Sequence, residues 1–176
     1  CAGTSAVLGN LLPERMTSAS AQAKAVKSYE TRMAIAFASN FRPYVSKMTE
    51  EADKSTWLQI DLESVLPVEA VRIYPAFNLG ADGGFGFGFP VRFKIEGSSE
   101  PTFVKPELLV AQTEDDMENP NDRILLYRFS SAPLRYLRLT ATKLGKMPDG
   151  VGYGLALAKV DVIAGGREVA HGKQVS

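Results

Sequence analysis

The chain has 176 residues, 45% hydrophobic and 23% charged, proportions that suit one globular domain able to bury a core without disulfides or metal. Lys plus Arg equals Asp plus Glu at 20 each, which argues against a nucleic-acid or anionic-membrane binder. There is no apolar run of 18 residues to span a membrane, the single Cys rules out an internal disulfide or a Cys-based zinc site, and the single His, His171, argues against a Ser–His–Asp triad.

The chain opens Cys1-Ala-Gly-Thr-Ser. A first-position Cys followed by small residues has the form of a processed bacterial lipoprotein, with Cys1 as the lipid site and residues 1–12 as a tether; the plain alternative is an ordinary small residue at a boundary. Between Ser20 and Ala38, Val26, Tyr29, Met33 and Phe37 recur at helical spacing, while Met33, Ile35 and Phe37 also alternate as in a strand. Residues 40–56, with Pro43 and a charged run at 50–54, read as loop. Residues 1–55 are thus expected as an N-terminal segment and 56–172 as the core of a single domain.

From Trp57 the period becomes two. Leu58, Ile60 and Leu62 share one face of Trp57–Leu62, and Val91, Phe93 and Ile95 share one face of Val91–Glu96. Val68–Tyr74, Ile124–Phe129, Tyr136–Thr142 and Leu155–Ile163 continue the pattern. Turn clusters separate them at 78–88, 97–101, 114–122 and 145–154. Alternation of this kind predicts half-buried antiparallel strands and an all-β sandwich. Trp57 is expected to pack in the core. Arg72, Arg92, Arg135 and Arg138 alternate with apolar residues and are expected on exposed sheet faces, Asp61 is expected to be structural, and Glu114, Asp115, Asp116 and Glu118 are expected as solvated turn residues.

The run Gly83-Gly-Phe-Gly-Phe-Gly-Phe-Pro90 is either a loop that displays rings to a ligand or a turn whose rings fold inward. Spacing by two would put Phe85, Phe87 and Phe89 on one side of an extended stretch. Phe89, next to a strand, is expected to be buried, and at most one ring, Phe85, to point outward. The glycine spacing is not that of a phosphate or dinucleotide loop.

The series Trp57-Leu-Gln-Ile-Asp-Leu62, Val71-Arg-Ile-Tyr-Pro75, Arg92-Phe-Lys-Ile-Glu96, Arg135-Tyr-Leu-Arg-Leu-Thr140 and Leu155-Ala-Leu-Ala-Lys-Val-Asp-Val162 resembles the discoidin-like (coagulation-factor C-type) domains with a galactose-binding jelly-roll fold. With Gly86-Phe-Gly-Phe-Pro-Val-Arg-Phe93 and Ala164-Gly-Gly-Arg-Glu-Val-Ala170, it looks like the modules attached to secreted bacterial glycoside hydrolases of the α-L-rhamnosidase type. The resemblance covers about residues 57–172. It implies an antiparallel jelly-roll β-sandwich acting as a non-catalytic carbohydrate-binding or accessory module of an exported bacterial protein, without cofactor. The expected partners are a glycan and the flanking domains of a larger protein, into which the tail from Gly165 would lead unless it is a frayed end.

In such binders the ligand sits on loops at one end of the sandwich. The resemblance therefore implies a site on loops 75–90 and 145–154, from Asn78, Asp82, Phe85, Phe87, Asp149 and Tyr153. Ala76 stands where sugar binders of this fold often carry Arg. Lys159 stands where relatives place an acidic calcium ligand, so no Ca²⁺ is expected there; its ammonium is expected either beside Asp53 or Glu51 or in solvent. The alternative function is a structural or protein–protein module with no sugar site.

Overall fold

The computed structural model describes residues 43–77, 84–148 and 150–176. Cys1, the 20–38 segment, Asn78, Asp82 and Asp149 lie outside the described residues. Every regular element among those described is a strand: β1 (Tyr44–Val45), β2 (Thr56–Pro75), β3 (Arg92–Ser98), β4 (Glu107–Gln112), β5 (Leu125–Lys143), β6 (Gly145–Lys146), β7 (Tyr153–Gly154), β8 (Ala156–Ala164), β9 (Arg167–Glu168) and β10 (Gln174–Val175). All pair antiparallel, in the order β1-β8-β2-β5-β3-β4, with β10 on β2, β9 on β8, and β6–β7 as a separate hairpin.

Two of the strands are far longer than the runs seen in the sequence. Trp57–Leu62 and Val68–Tyr74 are the two halves of the 20-residue β2. Tyr136–Thr142 and most of Ile124–Phe129 are likewise halves of the 19-residue β5. The β2–β5 ladder is interrupted between Asp61 and Leu66 and again between Val68 and Ala70. Before the break, β2 lies between β5 and β10; after it, β2 lies between β5 and β8. Strand β3 pairs only with the later half of β5, from Tyr136 to Lys143. The two long strands thus turn a corner together, and the sheet folds back on itself as two layers. The all-β sandwich expected from the period-two pattern is the fold observed.

The corner has its own chemistry. Glu63 adopts φ 68°, the left-handed region that a side chain disfavours. Asp61 Oδ1 accepts the Glu63 backbone N–H at 2.7 Å and so holds that turn. From β5, Arg135 donates from Nε and Nη2 to the two Asp61 oxygens at 2.8 and 2.9 Å. This forked pair holds the Asp61 carboxyl down to about 2, with the Glu63 N–H adding to the effect. The structural role expected for Asp61 is the one seen.

Between the layers one apolar cluster runs from Leu58, Ile60 and Leu62 through Val71 and Ile73 to Leu137, Leu139, Leu157 and Val162. Phe93 is fully buried at its centre, edge-on to Phe89 at 6.1 Å and to Tyr127 at 6.0 Å. Trp57 departs from expectation: it is 44% exposed and lies outside this core. The reason is the period itself, since Leu58, Ile60 and Leu62 take the inner face and leave Trp57, Gln59 and Asp61 on the outer one. Strand β4 was not evident in the sequence. Its Leu-Leu-Val-Ala run does not alternate, because the ladder with β3 slips by a residue beside Ile95 and Glu96.

Two outcomes follow for stability. Phe93→Ala should cost about 3–5 kcal/mol in a denaturant titration, because the cavity is walled on all sides. The Asp61 carboxyl, near 2 in the fold against 3.8 unperturbed, stabilises the folded state above about pH 4, a contribution lost as pH falls through 2. Asp61→Asn should therefore melt below wild type at pH 7, with the gap narrowing from about pH 4 towards 2. A gap of constant size would show that the carboxylate charge does not hold the corner.

Candidate functional site

The glycine–phenylalanine run is a turn tied down on both sides. Phe77 and Phe85 form an antiparallel bridge, and their rings stack at 5.7 Å. The Gly86 N–H donates to the Ala76 carbonyl at 2.6 Å. Gly86 and Gly88 take φ 75° and 60°, so the backbone is not extended and spacing by two no longer sets the side on which each ring lies. Phe89 is buried as expected, whereas Phe85 and Phe87 are both half-buried rather than one ring alone facing outward. Ala76 is fully buried and offers nothing to a ligand.

The segment expected to be solvated, 114–122, anchors this turn. Asn119 Nδ2 donates to the Phe85 carbonyl at 3.2 Å. A Cβ on Gly86 would lie 1.8 Å from Asn119 Oδ1. Asp116 is held by Arg92 Nε and Lys143 Nζ, each at 2.6 Å, and these cations lower its carboxyl below the usual range. Glu114, Asp115 and Glu118 are exposed, as expected.

The second loop lies against the first. Gly88 N–H donates to the Lys146 carbonyl at 2.7 Å, and Ala156 N–H donates to the Gly88 carbonyl at 2.8 Å. A Cβ on Gly145 would come within 2.2 Å of the Phe89 carbonyl oxygen, so only glycine allows this approach. A third segment, before β2, completes the end of the sandwich. Thr49 and Tyr153 exchange backbone hydrogen bonds at 2.8 and 3.0 Å, and Ser46 Oγ accepts the Leu155 N–H at 2.9 Å.

Of the residues expected at the site, Phe85, Phe87 and Tyr153 thus stand on segments that converge at one end. Tyr153 is half-buried and packs against the core. Ser46, Met48 and Thr49 were not expected here, because nothing periodic marks that segment. Met48 and Val151 are 44% and 80% exposed on these loops. Phe85, Phe87 and Tyr153 are thus half-buried rings on segments joined by backbone hydrogen bonds.

Lys159 does not meet Asp53 or Glu51, both of which are exposed. Its Nζ lies 2.5 Å from Asp161 Oδ1, two residues along the same face of β8, and 5.6 Å from the centre of the Tyr74 ring. Tyr74 donates its hydroxyl to Asp161 Oδ2 at 2.9 Å, and Arg72 Nε lies 3.4 Å from the same oxygen without hydrogen-bond alignment. The buried Asp161 carboxylate is thus compensated by two cations and a phenol. Among the described residues no three His, Cys, Asp or Glu side chains gather as a metal site.

No protein-family model and no curated protein matches the sequence. Among solved structures, the chain is similar to chitosan-binding module 1 of a chitosanase/glucanase from Paenibacillus sp. IK-5. The two are 17% identical over 72% of this chain and 79% of that one, with a TM-score of 0.50. Weaker likenesses are to CpGH89CBM32-6 from Clostridium perfringens (13% identical, 70% and 76% covered, TM-score 0.46) and to CBM32-1 of a family 31 glycoside hydrolase from Clostridium perfringens (18%, 67% and 73%, 0.48). Identity at this level speaks to fold alone. The protein is a β-sandwich of the architecture that the chitosan-binding module has.

Gly86→Ala should destabilise the protein by about 1–3 kcal/mol, since it overpacks Asn119 and strains a left-handed residue. Thermal melts of Gly86→Ala and Gly84→Ala compare a crowded glycine with one that has open space. Equal melting temperatures would show that the turn is not locked as described.

Proposed function

We propose that this protein is a non-catalytic carbohydrate-binding module of an exported bacterial protein, one that holds glycan at the loop end of its sandwich. The observation that carries the reading is the convergence of Phe85, Phe87 and Tyr153 on loops cross-bonded at Gly88, Lys146 and Ala156. A pyranose has an apolar C–H face for a ring and hydroxyls for fixed polar groups. Backbone groups of the locked loops, with Asn78, Asp82 and Asp149 of the same two loops, would supply the polar part. The fold likeness to a chitosan-binding module supports a saccharide as the ligand class. Binding is reversible and weak, because an open surface buries little of its ligand.

A second reading, a protein–protein or structural module, has one observation in its favour. Phe85 spends part of its ring on Phe77, and Tyr153 spends part on the core, so both have structural work.

Affinity electrophoresis through gels containing chitosan, galactan or rhamnogalacturonan separates the two readings. Wild type should be retarded in at least one gel. Tyr153→Ala and Phe85→Ala should each weaken that retardation by about 2- to 10-fold, the worth of one stacking ring. Unretarded wild type in every gel would favour the second reading.

A further inference from the structure

The outer face of the β4-β3-β5-β2 layer carries an ordered row of side chains. Leu108, Glu96, Arg138 and Gln59 stand opposite one another across the four strands, with Lys94, Thr140 and Trp57 in the adjoining row. The Arg138 guanidinium is sandwiched between two rings, 4.6 Å from the centre of Trp57 and 4.0 Å from that of Phe103. Phe103 is held there with φ 51°, a conformation costly for a bulky residue. Arg138 Nε and Nη2 both donate to Gln59 Oε1, at 3.1 and 2.7 Å.

This arginine differs from its neighbours in charge balance. Arg72, Arg92 and Arg135 each meet an aspartate. Arg138 has no carboxylate within ion-pair distance among the described residues. Glu96, its cross-strand partner, bonds instead to Lys94 Nζ at 2.8 Å. A cation with its orientation set by two rings and an amide, but lacking a counter-charge, is preorganised for an anion. Gln59 occupies the Nε side of the fork and leaves the terminal Nη1–Nη2 edge, whose geometry fits a carboxylate. Beside it, Trp57 is 44% exposed and offers a ring to an apolar surface.

We propose that this sheet face is a second binding site, specific for a carboxylate-bearing saccharide: the uronate carboxylate on Arg138 and the C–H face of its pyranose on Trp57. The proposal does not depend on the loop-end site, and either can fail without the other.

Trp57 is the only tryptophan in the sequence, so its emission reports on this face alone. The full chain is titrated at low salt with oligogalacturonate, its methyl ester and polyglutamate, and calorimetry provides a second readout. A saturable emission change with oligogalacturonate is expected, at least about tenfold weaker in Arg138→Gln and with the ester, and unaltered in Tyr153→Ala. Arg138→Lys, which keeps the charge without the fork, should also bind more weakly; circular dichroism verifies that both variants are folded. Absence of a response, an equal response to the ester, wild-type affinity in Arg138→Lys, or an equal response to polyglutamate would each overturn the proposal, the last in favour of an acidic protein partner.

Discussion

The corner shared by β2 and β5 is the constraint on which the sandwich rests. An antiparallel pair running straight for 20 residues would make one flat ribbon with no inside. The break after Asp61 lets the first half of β2 and the later half of β5 join β3 and β10 in one layer, while the second half of β2 joins the earlier half of β5 and β8 in the other. The turn requires a left-handed Glu63, and Asp61 meets that cost by accepting its N–H while being held by Arg135. A surface ion pair ordinarily contributes little. Here it is forked, tied to a backbone turn, and placed where two layers separate.

The loop end follows from the same architecture. Because β2 turns a corner, both its ends lie at one end of the sandwich, where the segments before β2, between β2 and β3 and before β8 are bonded to one another. Glycine then serves two separate ends: left-handed backbone at Gly86 and Gly88, and close approach of chains at Gly145. The phenylalanines between them contribute to packing as well as to surface, with Phe89 in the core and Phe85 resting on Phe77. A surface with its rings already seated loses little conformational freedom on binding, which suits recognition of a weakly held ligand.

Charge on this neutral protein is local. Three of the strand arginines lock structure: Arg135 at the corner, Arg92 on the 114–122 segment, and Arg72 at the buried Asp161. Arg138 alone of the four has no carboxylate within ion-pair distance among the described residues, and two rings flank it.

Much of the architecture was legible from side-chain period. Leu58, Ile60 and Leu62 name the inner face of β2 as surely as any coordinate, and the same period places Trp57 outside, an inference obscured by the habit of assigning tryptophan to cores. That Trp57–Leu62 and Val68–Tyr74 form one bent strand is not local information, since the intervening Glu63-Ser-Val-Leu-Pro67 carries no period and the bend exists only through pairing with β5. Strand β4 escaped notice because a slipped ladder destroys alternation. The aromatic loop was visible as composition, but which ring faces solvent depends on positive-φ glycines and on Asn119, 34 residues away from Phe85. Partners fixed by distant chain, such as Lys159 with Asp161 over Tyr74, or Tyr153 with Thr49, belong to the tertiary structure. Periodicity sets which face of a strand is wet; only the packing of layers decides what meets what across them.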